Sequence, residues 1–422
     1  GRRRVGKTTL INEFCKNKKT IFFVASEAAS QENLELFSKA VFQAIMPGLT
    51  SPSFRSYDEL FSYIDNICSQ ERIILAIDEF PYLAASYKAV SSLLQAHIDQ
   101  KWKNSRLFLI LCGSSMSFME HQVLGYKSPL YGRRTAQFKI HPFTFFESRR
   151  LLEGFSKEEQ AIIYGITGGI PEYLSRIRPS VSLDENIIDL FFTESGRLYE
   201  EPSNLLKQEL RDPSTYNSVI GAIASGASRL NDIAVKTGIE TGAASNLLVS
   251  LIELGIVRKE IPVTEKAGSR KTIYLLQDQM FRFWYRFVAP NISGIVRGIG
   301  AEIYEKQIRP QLSHFMRFVF EEICQQYLYL PQNLSSAPFL YSKCGRWWGN
   351  NPVEKRQEEI DIVVIDESHI LLGECKWQNA PVGIDVLKDL ILQGNLFYIQ
   401  EKWFYVFAKT TFTKDCINYA EK

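Results

Sequence analysis

The sequence has no apolar run of about 18 residues, the length a membrane-crossing helix needs, so no membrane span is expected. Cysteine is sparse, seven in 422 residues, at positions 15, 68, 112, 324, 344, 375 and 416. They are odd in number and form no C-x-x-C pair. Histidine is rarer still, at five. These shortages argue against a disulfide framework and a structural zinc site, and for a reducing, cytoplasmic setting. An excess of one charge is lacking too: Lys and Arg number 49 against 47 Asp and Glu, a net charge of +2. No global basic field announces a nucleic-acid binder, so any such contact must be local. There is no internal repeat and no low-complexity tract. What remains is 45% hydrophobic and 23% charged residues, an ordinary globular composition with enough chain for several domains.

The first nine residues, Gly1-Arg2-Arg3-Arg4-Val5-Gly6-Lys7-Thr8-Thr9, fit the P-loop pattern G-x-x-x-x-G-K-[ST]. The spacing has a physical reason. Glycines let backbone N–H groups curl around phosphate oxygens, Lys7 reaches the outer phosphates, and the Thr8 hydroxyl ligates Mg²⁺. Gly1, Arg4, Val5, Gly6 and Thr9 complete the expected nucleotide-binding loop. A helix should start here, its positive end favouring the anion, with Leu10, Ile11 and Phe14 as its apolar face. A P-loop follows a buried strand, so the numbered chain is expected to be a piece of a longer protein that supplies this strand.

Four further segments read as strands: Thr20–Ala25, Arg72–Asp78, Arg106–Cys112 and Ala136–Ile140. The second ends in Asp78-Glu79, a Walker B pattern. Asp78 is expected to hold Mg²⁺ and Glu79 to orient the attacking water. Ser114 or Ser115, after the third strand, is placed to sense the γ-phosphate or to cap a helix. Arg133 or Arg134 is a candidate arginine finger. Strands alternating with helices argue a three-layer α/β domain with a parallel sheet, followed by a helical lid over 144–178.

GRRRVGKT, LAIDEF, LCGSS, SPLYGRR and GGIPEYL, in this order, resemble the archaeal-type ATPases of the AAA+/STAND group. The resemblance covers roughly residues 1–200. It implies an ASCE-type P-loop sheet with ATP and Mg²⁺ as cofactors, a core over 1–143, and a lid over 144–200. The Gly-Gly-x-Pro turn at 168–171 would lie on the lid side of the nucleotide.

Pro171, Pro179, Pro202 and Pro213 fall in or beside the polar stretch 179–214 and suggest a domain boundary there. Beyond it, helices at 216–225, 229–238 and 241–254 precede a hairpin with the basic tip Lys266–Lys271. Helix, helix, helix and hairpin in that order make a winged helix-turn-helix over 215–290. Its third helix offers Ser245 and Asn246 but no Arg or Lys for base readout. DNA contact through the basic wing and use as a protein spacer both remain open. Phe281, Trp284, Tyr285 and Val288 recur at helical spacing and read as a buried face.

In the last unit, 300–422, an amphipathic helix carries Glu321. Two later strands, 359–365 and 370–377, are joined by a tight turn. If that turn is Glu367-Ser368, paired positions sum to 735, which sets Asp361 opposite Glu374 with Lys376 on the same face. Like charges so placed call for a cation. Asp followed by Glu-x-Lys resembles the PD-(D/E)XK nucleases, a restriction-endonuclease-like α/β fold. The whole region resembles the domain known as DUF234 that accompanies archaeal-type ATPases. That resemblance implies Mg²⁺ held by Glu321, Asp361 and Glu374, with Lys376 activating water. The expectation is an ATP-hydrolysing protein that acts on DNA with a Mg²⁺-dependent C-terminal nuclease. The alternative is an ATP-dependent switch or DNA-binding scaffold whose nuclease-like domain is inactive. A homo-oligomer is compatible with either.

Overall fold

The structure is a computed structural model. It describes residues 1–48, 52–115, 118–352 and 354–421, with the side chain of His121 left out. The chain folds as two compact units, Gly1–Pro142 and Phe143–Lys422.

The first unit is built on a parallel sheet of β1 (Thr20–Val24), β2 (Ile73–Asp78) and β3 (Leu107–Leu111), in the order β1-β2-β3. The central strand β2 is an unbroken apolar run ending in Asp78, and all of it is buried. A parallel strand covered on both faces requires such a run rather than alternation. Phe37 of the helix Ser30–Ile45, with Leu60, Phe61 and Ile64 of the helix Tyr57–Gln70, forms the adjoining core. Each such side chain contributes about 1.5–3 kcal/mol on burial.

Two expectations for this unit change. The segment 136–140 forms no strand. A strand needs a neighbour's backbone ladder, and among the described residues none pairs with it. Helix α1 (Lys7–Cys15) buries none of its residues. Leu10 and Phe14 are exposed, and Phe14 meets Phe108 of β3 with ring centroids 5.5 Å apart.

The second unit opens with short helices around α2 (Lys157–Thr167), which packs on α3 (Gln279–Phe283) and α4 (Leu312–Leu328). The stretch 179–214, expected to be a boundary, is folded as helices Leu183–Phe191 and Glu201–Glu209 with Ile187, Phe191, Leu205 and Leu206 buried. Its prolines were misleading because Pro202 and Pro213 sit in the first turns of helices. There the missing N–H costs nothing. Trp284–Val288 continues α3 as a widened π-type turn before Pro290. A proline ring would clash with the carbonyl four residues earlier in an ordinary helix. Phe281, Trp284, Tyr285 and Val288 are all buried.

Helices Pro213–Ala224, α5 (Leu230–Thr237) and α6 (Thr241–Glu253) precede the antiparallel hairpin β4 (Val257–Glu260) and β5 (Ile273–Leu276). Gly238 stops α5 at φ 69°, a left-handed value that favours glycine. The C-terminal sheet runs β6 (Lys343–Asn351), β7 (Arg356–Ile365), β8 (His369–Lys376) and β9 (Glu401–Ala408), in that order. β8 and β9 are parallel and the other neighbours antiparallel. One face packs on α4 through Cys324 and Leu328. The other packs on the helix Ile384–Gln393 through Leu390.

Candidate functional site

The P-loop turns on two left-handed residues, Arg4 at φ 68° and Gly6 at φ 83°. Gly6 leads directly into α1. Val5 is buried, and Thr9 is exposed on the first turn of α1. Gly1 lies so close to residue 140 that a Cβ there would sit 2.1 Å from the Ile140 carbonyl oxygen. The Lys7 ammonium donates to the carbonyls of Gly1 at 3.0 Å and Arg2 at 2.7 Å, which places it in the mouth of the loop. The Thr8 hydroxyl donates to Asp78 Oδ2 at 2.5 Å. A buried carboxylate at a strand end beside a threonine hydroxyl is a hard-oxygen pair that suits Mg²⁺, so these residues fit a Mg²⁺-nucleotide.

Glu79 sits at φ 50°, a conformation that costs a non-glycine residue roughly 1–3 kcal/mol and is held by its surroundings. Its N–H donates to Asp78 Oδ1 at 2.9 Å, and its Oε2 accepts from the Ser114 hydroxyl at 2.8 Å and the Ser114 N–H at 3.3 Å. Ser114 therefore anchors the candidate base, a partnership that spacing alone could not show. Behind the pair, burial and the nearby Asp78 charge push the Cys112 thiol up to about 12, so it stays neutral and unreactive. Arg133 makes a two-pronged pair with Asp99 at 2.8–3.1 Å and also donates to the Pro129 carbonyl at 2.9 Å.

In the helix-turn-helix, Lys266, Arg270 and Lys271 are exposed at the hairpin tip, and Lys271 pairs with Glu265 at 2.8 Å. Sequence reasoning missed Glu240. Its carboxylate accepts from the N–H groups of Gly242 at 2.9 Å and Ala243 at 3.1 Å, which holds its pKa below the usual carboxylate range. The start of α6, where a phosphate would otherwise find free amides, is already occupied by an acid. Glutamate is a weak capping signal next to Ser, Thr, Asp or Asn, so little in the sequence pointed to it.

In the C-terminal sheet, the hairpin register sums to 735 from Ile365–Ile370 to Ile362–Gly373, as a Glu367-Ser368 turn requires. The expected opposition of Asp361 and Glu374 is one step beyond the last of these pairs. β7 also carries a bulge: Gly345 pairs with Val363 but Trp347 with Ile360, so Arg346 faces both Asp361 and Ile362. The alternation of faces skips there. Asp361 Oδ2 instead takes the Cys375 N–H at 2.9 Å, at the fork where β7 and β8 part.

On β8, Glu374 and Lys376 continue the face of Ile370 and Leu372, whereas Cys375 continues that of Leu371 toward α4. Glu321, on α4, therefore approaches from the other side of the sheet from Glu374. It lies 3.4 Å from the Arg346 Nε, and Glu374 pairs with Lys376 at 2.5 Å. Burial first, then the Asp361 charge, pushes Glu321 up to about 8 and raises Glu374; burial also raises Asp361 against the Cys375 N–H and Lys376. Among the described residues no three His, Cys, Asp or Glu side chains converge as a metal-holding group. Strand alternation thus sets Glu321 and Glu374 on opposite sides of the sheet, and as they stand Glu321, Asp361 and Glu374 do not fit a shared divalent ion. Arg346, a lone arginine between a glycine and two tryptophans, gave no sequence signal.

Comparison with known proteins assigns three regions. Residues 1–177 match the family described as an ATPase domain predominantly from Archaea. Residues 218–260 match the IclR helix-turn-helix domain. Residues 284–387 match DUF234, described as archaeal and bacterial proteins of unknown function. An uncharacterized protein of Methanocaldococcus jannaschii, MJECL04, is 32% identical over 434 residues, covering 99% of this chain and 92% of that protein. Among solved structures, the Walker-type ATPase PABY2304 of Pyrococcus abyssi aligns with a TM-score of 0.53 at 21% identity, over 68% of this chain and 89% of its own. It shares the fold. Among the described residues no helix is long and apolar enough to cross a membrane.

Proposed function

This chain belongs to the archaeal ATPase family that joins a P-loop domain to a helix-turn-helix and a C-terminal domain of unknown function, and on that premise we propose that it is an ATP-hydrolysing switch acting on DNA. The observation that carries the proposal is the Thr8 hydroxyl on Asp78 Oδ2 at 2.5 Å, with Glu79 next in the chain and anchored on Ser114. Lys7 and the loop N–H groups bind the outer phosphates. Mg²⁺, held by Thr8 and Asp78, would supply charge neutralisation at the phosphate oxygens. Glu79 orients the attacking water and accepts its proton, and Ser114 fixes the Glu79 carboxylate. Arg133 acts as a finger on exchanging Asp99 for phosphate. That exchange trades one two-pronged oxyanion contact for another, since carboxylate and phosphate match the guanidinium fork alike.

For DNA, the wing supports phosphate contact rather than base readout. Its tip is basic, and the start of α6 is capped by Glu240. Duplex binding measured between 50 and 200 mM salt should show a log–log slope that falls by about 2 when Lys266 and Arg270 are both changed to Ala, with little change in sequence preference. An unchanged slope removes the wing from DNA binding.

The C-terminal carboxylates do not fit a shared metal ion as they stand, so we assign this domain a scaffolding part. Purified protein is expected not to nick supercoiled plasmid with Mg²⁺ or Mn²⁺. Nicking that Asp361→Ala abolishes would restore the nuclease reading.

A further inference from the structure

Arg346 lies opposite the two bulged residues of β7, Asp361 and Ile362. Its Nε is 3.4 Å from Glu321 Oε2, and another of its nitrogens pairs with Glu359. Its guanidinium lies 5.6 Å from the Phe318 ring, which Arg258 and Arg282 also approach, at 5.0 and 4.3 Å. Arg258 is paired with Glu322 at 2.5 Å. Three guanidinium groups thus surround one ring of α4 beside the carboxylates of Glu321, Glu322, Glu359 and Asp361.

Hard divalent ions are held by several carboxylate oxygens at once. Here a guanidinium from the protein itself stands among those oxygens. We infer that Arg346 is the resident cation of the Glu321 and Asp361 carboxylates, occupying the place a divalent ion would take and latching the C-terminal domain in a metal-independent state. This rests on the scaffold reading of that domain and adds a charge, at Glu321 and Asp361, to the geometric separation of Glu374.

Two observations support a latch rather than a finished ion pair. Glu321 Oε2 and Arg346 Nε are both buried and close, yet among the described residues neither has a hydrogen-bond partner. The attraction is therefore weakly directed and leaves polar atoms that a ligand can satisfy. The backbone of Arg346 is also held from outside the sheet: its carbonyl accepts the Val263 N–H at 3.0 Å. Val263 belongs to the connection between β4 and β5, so the hairpin of the helix-turn-helix sets the position of the latch.

The test is Mn²⁺ titration of the full chain without nucleotide, read by electron paramagnetic resonance, in the wild type, Arg346→Gln, Arg346→Met and Arg346→Lys. The same titrations are repeated with Asp361→Ala added. Arg346→Gln and Arg346→Met should bind one Mn²⁺ at least about tenfold more tightly than the wild type, and Asp361→Ala should remove that gain. Arg346→Lys keeps a cation and should bind as weakly as the wild type. Methionine preserves the packing against Phe318 should glutamine disturb folding. No gain in either neutral variant overturns the inference, as does a gain that survives Asp361→Ala. Asp361-dependent Mn²⁺ binding by the wild type as tight as in the variants overturns it too. Plasmid nicking is scored separately, so failure of the latch and failure of the scaffold reading are distinguishable.

Discussion

Lys7→Ala is expected to bring ATP hydrolysis to background and to weaken ATP binding by about 10- to 100-fold, the worth of a charge-assisted contact of about 1.5–3 kcal/mol. Two losses combine. The phosphates lose their cation, and the loop loses the ammonium that bridges the carbonyls of Gly1 and Arg2 at 3.0 and 2.7 Å. The readout is the ATP-induced shift in melting temperature, since a ligand that binds only the folded state stabilises it by mass action. A full shift in Lys7→Ala would mean that the loop amides alone hold the nucleotide and that Lys7 has no binding role. Arg is not an equivalent replacement, because its planar fork differs from the compact ammonium seated in the loop.

Glu79→Gln should give the opposite pattern: binding kept, chemistry lost. Gln has the same shape and its carbonyl oxygen can still accept from Ser114 at the position Glu79 Oε2 holds, 2.8 Å from that hydroxyl. The left-handed backbone at φ 50° is no harder for Gln than for Glu. ATP affinity should stay within about threefold, whereas hydrolysis should slow by about 10²- to 10⁴-fold, the usual contribution of a positioned base. Single-turnover hydrolysis of bound ATP isolates this step from product release. Equal single-turnover rates in the wild type and Glu79→Gln would take Glu79 out of the reaction.

Strand and helix patterns were legible because they depend on neighbours in sequence. The apolar run before Asp78-Glu79, downstream of a P-loop, read as a buried parallel strand, and it is one. Gly238 marked a helix end because left-handed φ favours glycine. The turn at Glu367-Ser368 was enough to number the hairpin register. Prolines were less informative, since Pro202 and Pro213 begin helices rather than interrupt them.

What the sequence by itself determined is the order of parts: a P-loop, a Walker B strand, a helix-turn-helix with a basic hairpin tip, and two carboxylates on neighbouring strands. Each follows from residue types at short, fixed spacing, where backbone geometry leaves few options. Only the tertiary structure decided how charges are answered. It gave Glu79 to Ser114, 35 residues away, Arg133 to Asp99, 34 residues away, and Glu321 to Arg346 on β6. It also placed a bulge in β7 opposite Arg346, and ended the β7–β8 ladder at Ile362–Gly373, where Asp361 takes the Cys375 N–H. Such pairings depend on which surfaces meet after packing. A one-residue bulge, invisible in the composition of a strand, is enough to change which face a carboxylate serves.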